Sequence, residues 1–468
     1  MAFPELRFGL FFLVVFTISW LLKGRHQSRI IFLVGASYVF YACTDWRFCF
    51  LLLGSSVFNW GIGWLLARGG GSSRRKAIVA GAVVVNLAVL GVFKYFGFFV
   101  DSANALIESL GGRGNLPVLS VVLPAGISFF TFHGLSYVVD LYRGKLAKPA
   151  PFWEMLLYIS FFPQLVAGPI VRASHFLPQL ARPVDPDDIR ATRAFLLIIG
   201  GLFKKVVVAT TLGSTLVDPV FLDPDRYGAL DLLLGSYGYA LQIYCDFSAY
   251  TDIAIGVAAL FGYRFPQNFD QPYRALGLRD FWKRWHISLS SWLRDYLYIS
   301  LGGNRSGLGR TFNLMVTMLL GGLWHGAAWT FVIWGGLHGL ALVVEHACAE
   351  RWKTPLAGWA KGLAIVATFH WVCFAWIFFR AAGLDQAFAV LKGFARWGAA
   401  PTLASPSILT LLAGGLLAQF LPKNRMELLE AWVVRVPAGM QAALVGLFIV
   451  VIDSLGPDGV PPFIYFKF

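Results

Sequence analysis

The sequence predicts an all-α, polytopic integral membrane protein, and three observations carry that prediction. Of its 468 residues 57% are apolar and only 14% charged, with a mean hydropathy of +0.65. Soluble domains carry about 25% charged residues, so this composition cannot supply a wetted surface for a chain of this length. The apolar residues gather into long runs, among them 8–22, 30–41, 78–92 and 196–203. Lysine and arginine fall in the short gaps between runs. Counting runs near the ~20-residue length that crosses a bilayer gives roughly 11–13 membrane helices. Some are too short, or too broken by Pro and Gly, to be simple spans and are expected to be re-entrant or interfacial.

The net charge of +14 does not point to nucleic acid, because the cations are dispersed over short loops in the manner of topology signals. The partner it implies is membrane lipid, and the 17 Trp suit interfacial belts. Cys43, Cys49, Cys245, Cys348 and Cys373 lie in or beside apolar segments and form no CxxC pair. They read as small buried hydrophobes, with no disulfide framework and no metal site. The first apolar run is expected to be a retained span, since Lys23, Arg25 and Arg29 follow it and no small-residue cleavage site appears.

Basic loops follow the first, third and fifth spans: Lys23–Arg29, then Arg68 with Arg74, Arg75 and Lys76, then Arg143, Lys145 and Lys148. Their alternation with poorly basic loops places the N-terminus outside and these loops in the cytoplasm. Residues 152–171 break the alternation. They are apolar, carry Pro163, Gly168 and Pro169, and are followed by another basic loop, so both ends lie on one side and the segment is re-entrant or interfacial. Irregular backbone at membrane depth is tolerated only inside protein or beside a water-filled cavity. Residues 194–217 and 229–262 form a long pair joined by an acidic, external link. Residues 263–310 are the most polar long stretch, placed at the cytoplasmic face, and further spans follow at roughly 311–327, 328–347, 362–380, 406–421 and 438–454. The chain reads as one membrane domain: N-terminal helices over 1–118, a core over 119–347 and C-terminal helices over 348–468.

Polar groups inside a membrane are costly, so each needs a reason. Within 321–339 (GGLWHGAAWTFVIWGGLHG), His325 stands in an apolar stretch between Trp324 and Gly326. A desolvated imidazole stays neutral and can take a proton from a hydroxyl. Residue type alone leaves a histidine bonded between helices as an equal reading. His338 is off the same helix face, so a helical metal pair is absent. Within 279–305 (RDFWKRWHISLSSWLRDYLYISLGGNR), Trp282, Trp285, Leu289, Trp292 and Tyr296 form an apolar face of one predicted amphipathic helix. Arg284, Ser288, Ser291 and Asp295 form its polar face, and His286 falls between the two. A surface helix with a solvated basic stripe is the plainer reading. Within 242–252 (QIYCDFSAYTD), Asp246 and Asp252 need partners, and Lys204 and Lys205 are the natural ones. With Tyr244 nearby, the set reads as a brace shaping a cavity. The other reading, an ion path in a transporter, lacks the internal repeats such folds usually carry. No GxSxG elbow, Walker loop or strand-linked GxGxxG is present.

Taken together these segments resemble the membrane-bound O-acyltransferase family, and within it the alginate O-acetyltransferase branch. The resemblance runs from about residue 120 to the end. It rests on 163–172 (PQLVAGPIVR), 201–205 (GLFKK), 242–256, 268–274 (NFDQPYR), 281–298, 302–305 (GGNR), 321–329 (GGLWHGAAW) and 463–468 (FIYFKF), where Lys467 stands in place of an expected Gln. It implies a central tunnel, with His325 as the intramembrane catalytic histidine and His286 as the second. His325 would activate an acceptor hydroxyl, and His286 would shape donor entry or support the thioester and its oxyanion. Trp285, Lys283, Arg284, Ser290, Arg294, Asp295, Trp324 and Asn304 would meet substrate or donor. Lys204, Lys205, Tyr244, Asp246 and Asp252 would be structural. No cofactor would be permanently bound. The implied donor is acetyl-CoA, with an acyl carrier protein thioester as the alternative, and a periplasmic SGNH-type partner would complete transfer. The implied acceptor is an exopolysaccharide such as alginate, alternatively peptidoglycan or cellulose, and the implied location is the bacterial inner membrane. An ion-coupled transporter or a secretion scaffold would instead function without His325.

Overall fold

The computed structural model of the protein describes residues 3–117, 121–166, 168–305, 307–351, 357–455 and 463. Among these every regular element is helical, as the composition predicts. Six helices are long and apolar enough to cross a membrane: Phe48–Ala67, Ser72–Ser109, Ala191–Leu222, Ala229–Leu260, Trp329–Cys348 and Gly358–Arg380. Leu6–Leu21, Pro406–Phe420 and Gly439–Ile452 are shorter apolar helices. Fewer helices meet that standard than there are apolar runs, because several runs form helices that are short or carry polar groups. The helix His26–Asp45 buries Arg29, whose guanidinium donates to Ser19 Oγ (2.9 Å) and to the Phe261 carbonyl (2.7 Å).

The chain forms two compact units, Met1–Ile189 with Val257–Pro266, and Arg190–Gly256 with Gln267–Phe468. In the first, the helix Ile127–Tyr142 is buried along almost its whole length. The segment expected to be re-entrant is broken, with a helix Phe152–Ser160, a helical turn Phe162–Leu165 and extended backbone before Ala173. Several of its polar groups find partners within the protein, as bilayer depth favours. Gln164 Nε2 donates to the Tyr158 carbonyl (2.6 Å), and the Tyr158 hydroxyl lies 3.0 Å from the His133 carbonyl.

The second unit is built on Ala191–Leu222 and Ala229–Leu260. The first of these is loosened by π-helical turns at Lys204–Ala209 and Gly213–Val217. Such turns are frequent at functional positions. The second feature of this unit is the hairpin of Gly307–His325 and Trp329–Arg351, which presents His325 at its tip. Glycines bring its two arms together. A Cβ on Gly322 would strike the Phe331 carbonyl oxygen, and one on Gly335 would strike the Met318 carbonyl oxygen. Gly336, the next residue, has room, since a Cβ there would meet only Leu319 Cδ2 at 3.6 Å.

That contrast is testable. Overpacking a close contact costs about 1–3 kcal/mol, so Gly335→Ala should lower the midpoint of thermal unfolding in detergent, whereas Gly336→Ala should leave it within error.

Candidate active site

The polar stretch before the hairpin does not form the single amphipathic helix that the spacing of its tryptophans suggests. It forms two short helices, Leu278–Arg284 and Ile287–Trp292, followed by a π-helical turn Leu293–Tyr298. The break falls at His286, whose φ of 43° lies in the left-handed region that a non-glycine residue seldom enters. Strain of this kind, about 1–3 kcal/mol, persists only where the surroundings over-determine it. Here the extended segment before it supplies the constraint. Asp270 N–H donates to the Arg284 carbonyl and Ile287 N–H to the Asn268 carbonyl, both at 2.9 Å. The break turns His286 inward to zero exposure. Burial holds its imidazole neutral, with the pKa pushed down to about 3.

The hairpin tip brings His325, 3% exposed, to the same place. The ring centroids of His286 and His325 are 6.4 Å apart, and Trp324 lies 5.9 Å from His286. Trp334 and Phe379 stand edge-on to His325 at 5.1 and 5.3 Å, and Phe247 edge-on to His286 at 4.6 Å. Two imidazoles 39 positions apart in sequence thus stand side by side in one aromatic cluster, with His286 wholly buried and His325 at the cavity. His338 does not join them. It packs among Phe281, Trp282 and Trp334 behind the pocket.

A cavity of about 310 Å³ reaches His325. Its lining includes Trp282, Leu289, Ser290, Met318 and Trp334. Among the described residues its charged or titratable lining groups are Arg279, Arg294, Tyr298, Arg310, His325 and His346, with no carboxylate. Of the residues expected at the donor site, Ser290, Arg294 and Asn304 line this cavity. Trp324 and Trp285 are buried, and Trp285 stacks on Phe281 at 5.6 Å instead of facing the cavity. Arg284 is held by Asp280 (2.8 Å) and Asp270 (3.5 Å), and Lys283 is exposed outside the lining. Asp295 ties down Arg294 at 2.6 Å. Besides Arg294, the cavity is lined by Arg279, Arg310 and His346 from three separate helices, and Arg310 and His346 are too far from His286 in sequence for proximity to single them out. The broken segment 152–171 contributes nothing to this lining.

Both expected ion pairs form. Lys204 Nζ lies 2.6 Å from Asp252 and Lys205 Nζ 2.7 Å from Asp246, the latter pair with side-chain exposures of only 3% and 5%. Tyr244 packs against Phe269, Tyr273 and Trp285. Next along the same helix, Tyr250 packs on Phe463 at 4.3 Å and Phe247 on Phe463 at 5.6 Å. Phe463 opens the C-terminal FIYFKF match, and the rest of that match, with Lys467, lies outside the described residues.

A buried imidazole at a cavity lined by arginines can take a proton from a hydroxyl while an anionic ligand is held beside it. Comparison with known proteins agrees with that chemistry. Residues 125–384 match the membrane-bound O-acyltransferase family, and the chain belongs to it. It is 41% identical to a probable alginate O-acetylase of Pseudomonas aeruginosa over 85% of this chain and 75% of the relative. It is 36% identical to the corresponding protein of Pseudomonas putida over the whole of both chains. A peptidoglycan O-acetyltransferase of Helicobacter pylori is 37% identical over 78% of this chain and 73% of its own length. The protein is thus a multi-pass membrane O-acyltransferase.

Removing one partner of a buried pair leaves an uncompensated charge costing about 3–5 kcal/mol. Lys205→Met should therefore lower the thermal unfolding midpoint in detergent markedly. Lys204→Met, at the more exposed pair, should lower it less.

Proposed function

We propose that this protein is a membrane-bound O-acetyltransferase. It takes acetyl groups from a cytoplasmic thioester and passes them across the membrane for O-acetylation of an exopolysaccharide of the alginate type. The observation that carries this reading is the cavity reaching His325, whose described lining residues include three arginines and two histidines and no carboxylate. Full-length similarity to the Pseudomonas putida probable alginate O-acetylase supports the acceptor class. The Helicobacter pylori relative, named for peptidoglycan, makes a cell-wall polymer the second reading.

In this mechanism His325 Nε2 or Nδ1 removes the proton of the acceptor hydroxyl as its oxygen attacks the thioester carbonyl. The C–O bond forms, the C–S bond breaks, and the proton passes to the departing thiolate. His286 lies buried beside it, its ring centroid 6.4 Å from that of His325. Arg279, Arg310 and His346 meet the phosphates of the donor, acetyl-CoA or the phosphopantetheine of an acyl carrier protein. Arg310 stands near the start of the helix that ends at His325, about 22 Å away along the axis at roughly 1.5 Å per residue. An extended pantetheine arm covers about 15 Å at roughly the reach per bond of an extended chain, and the arginine side chain covers the remainder. The protein lies in the bacterial inner membrane with its N-terminus and the acceptor side facing the periplasm, where an SGNH-type partner completes transfer to the polymer.

Purified protein in nanodiscs, given radiolabelled acetyl-CoA and the partner protein, tests this reading. Loss of a general base typically costs about 10²–10⁴-fold, so His325→Ala should reduce acetyl transfer by at least about 100-fold. Transfer at the wild-type rate would refute the assignment. A second measurement addresses the donor end. Arg279→Gln combined with Arg310→Gln should raise KM for acetyl-CoA about tenfold or more and change kcat little, since charge-assisted contacts to phosphate are made equally in ground and transition states.

A further inference from the structure

Asn268 belongs to no part of the mechanism above, yet its side chain decides what His286 can do. It is 1% exposed, and its Oδ1 lies 3.1 Å from the backbone N of Ser288 and 2.9 Å from Ser288 Oγ. A backbone N–H can only donate. The Asn268 atom facing it is therefore the amide oxygen, and the usual ambiguity between amide oxygen and nitrogen is settled by the network. The same oxygen lies 3.2 Å from His286 Nδ1. An amide oxygen can only accept, so Nδ1 carries the hydrogen. In a neutral imidazole that places the lone pair on Nε2. His286 Nε2 and Asn268 Nδ2 are both buried and have no hydrogen-bond partner among the described residues.

We propose that Asn268 is a positioning residue that locks His286 as its Nδ1–H tautomer, so that the buried Nε2 beside His325 is an acceptor and does not donate to the thioester oxyanion. The inference rests on the acyl-transfer reading only for its catalytic consequence; the tautomer itself follows from the hydrogen bonds. The left-handed backbone at His286 serves the same end. It lets Nδ1 and the Ser288 N–H converge on one oxygen from adjacent turns of chain. The tautomer also separates the two histidines. His286 can receive a hydrogen bond from an acceptor hydroxyl or from a donor amide. The negative charge that develops on the thioester carbonyl must be met by other groups in the pocket.

Two measurements test the proposal on the full-length protein in lipid. In solid-state NMR with ¹⁵N-labelled histidine, His286 is assigned by the signals lost in His286→Gln. The wild type should show a protonated Nδ1 and an unprotonated Nε2 at neutral pH. A protonated Nε2 there would overturn the proposal, whether or not the preparation transfers acetyl groups. The second measurement is the pH profile of acetyl transfer. Asn268→Asp puts a carboxylate against Nδ1–H, which favours the imidazolium, so activity should fall away at a higher pH on the acid side than in the wild type. Asn268→Ala should lower kcat about 10–100-fold, the usual effect of losing a group that orients an imidazole, with KM for the donor unchanged. Wild-type kcat and an unshifted acid limb in both variants would refute the positioning role. A wild type with the expected tautomer and no acetyl transfer would refute the acyl-transfer reading alone.

Discussion

The structure is governed by the cost of leaving a polar group unpaired where no water can reach it. An isolated ion or amide in such a place costs several kcal/mol, so each must find its partner inside the protein. Lys205 and Asp246 form one solution, binding two long helices through charges that are almost wholly buried. Arg29 is another, satisfied by a serine hydroxyl and a backbone carbonyl. The sharing of Asn268 Oδ1 among Ser288 and His286 is the third. Where regular helix would have prevented such pairing, the backbone gives way. The π-helical turn at Lys204–Ala209 carries both lysines of the brace, and the chain reverses its handedness at His286.

The same cost explains why the site is polarised. The His325 end of the cavity is walled by aromatic rings. Elsewhere the cavity is lined by Arg279, Arg294 and Arg310, and among the described residues its lining holds no carboxylate. Such a lining favours an anionic ligand. A thioester with phosphates at one end and an uncharged acyl group at the other matches both ends at once. Glycines supply the remaining requirement. They let the two arms of the hairpin approach to backbone contact, which fixes the tip and with it the His325 ring.

Much of this was legible in the residues. Each charge within an apolar run flagged a site, and the pairing of Lys204 and Lys205 with Asp252 and Asp246 followed from scarcity of alternatives. His325 drew notice because an imidazole in an apolar glycine-rich stretch requires explanation. The tryptophan spacing over 279–305 misled, since an amphipathic repeat predicts a continuous helix and carries no information about a break forced by a neighbouring strand of chain. The cations near His286 in sequence misled for a similar reason. Arg284 is consumed by Asp280 and Asp270, while the cavity is lined by Arg279 and Arg310 as well as by the expected Arg294.

By itself, then, the sequence determined that the chain is helical and membrane-embedded and that it belongs with the O-acyltransferases. Hydropathy, charge spacing and local motifs are properties of short stretches, and a membrane amplifies them by making every exception costly. Only the tertiary structure decided which cations face the cavity, where the amphipathic stretch breaks and which nitrogen of His286 holds the hydrogen. Those are properties of contacts between residues distant in sequence. Asn268 shows the difference most plainly, because its place in the NFDQPYR match says nothing of its role until the fold sets its oxygen between a backbone N–H and an imidazole.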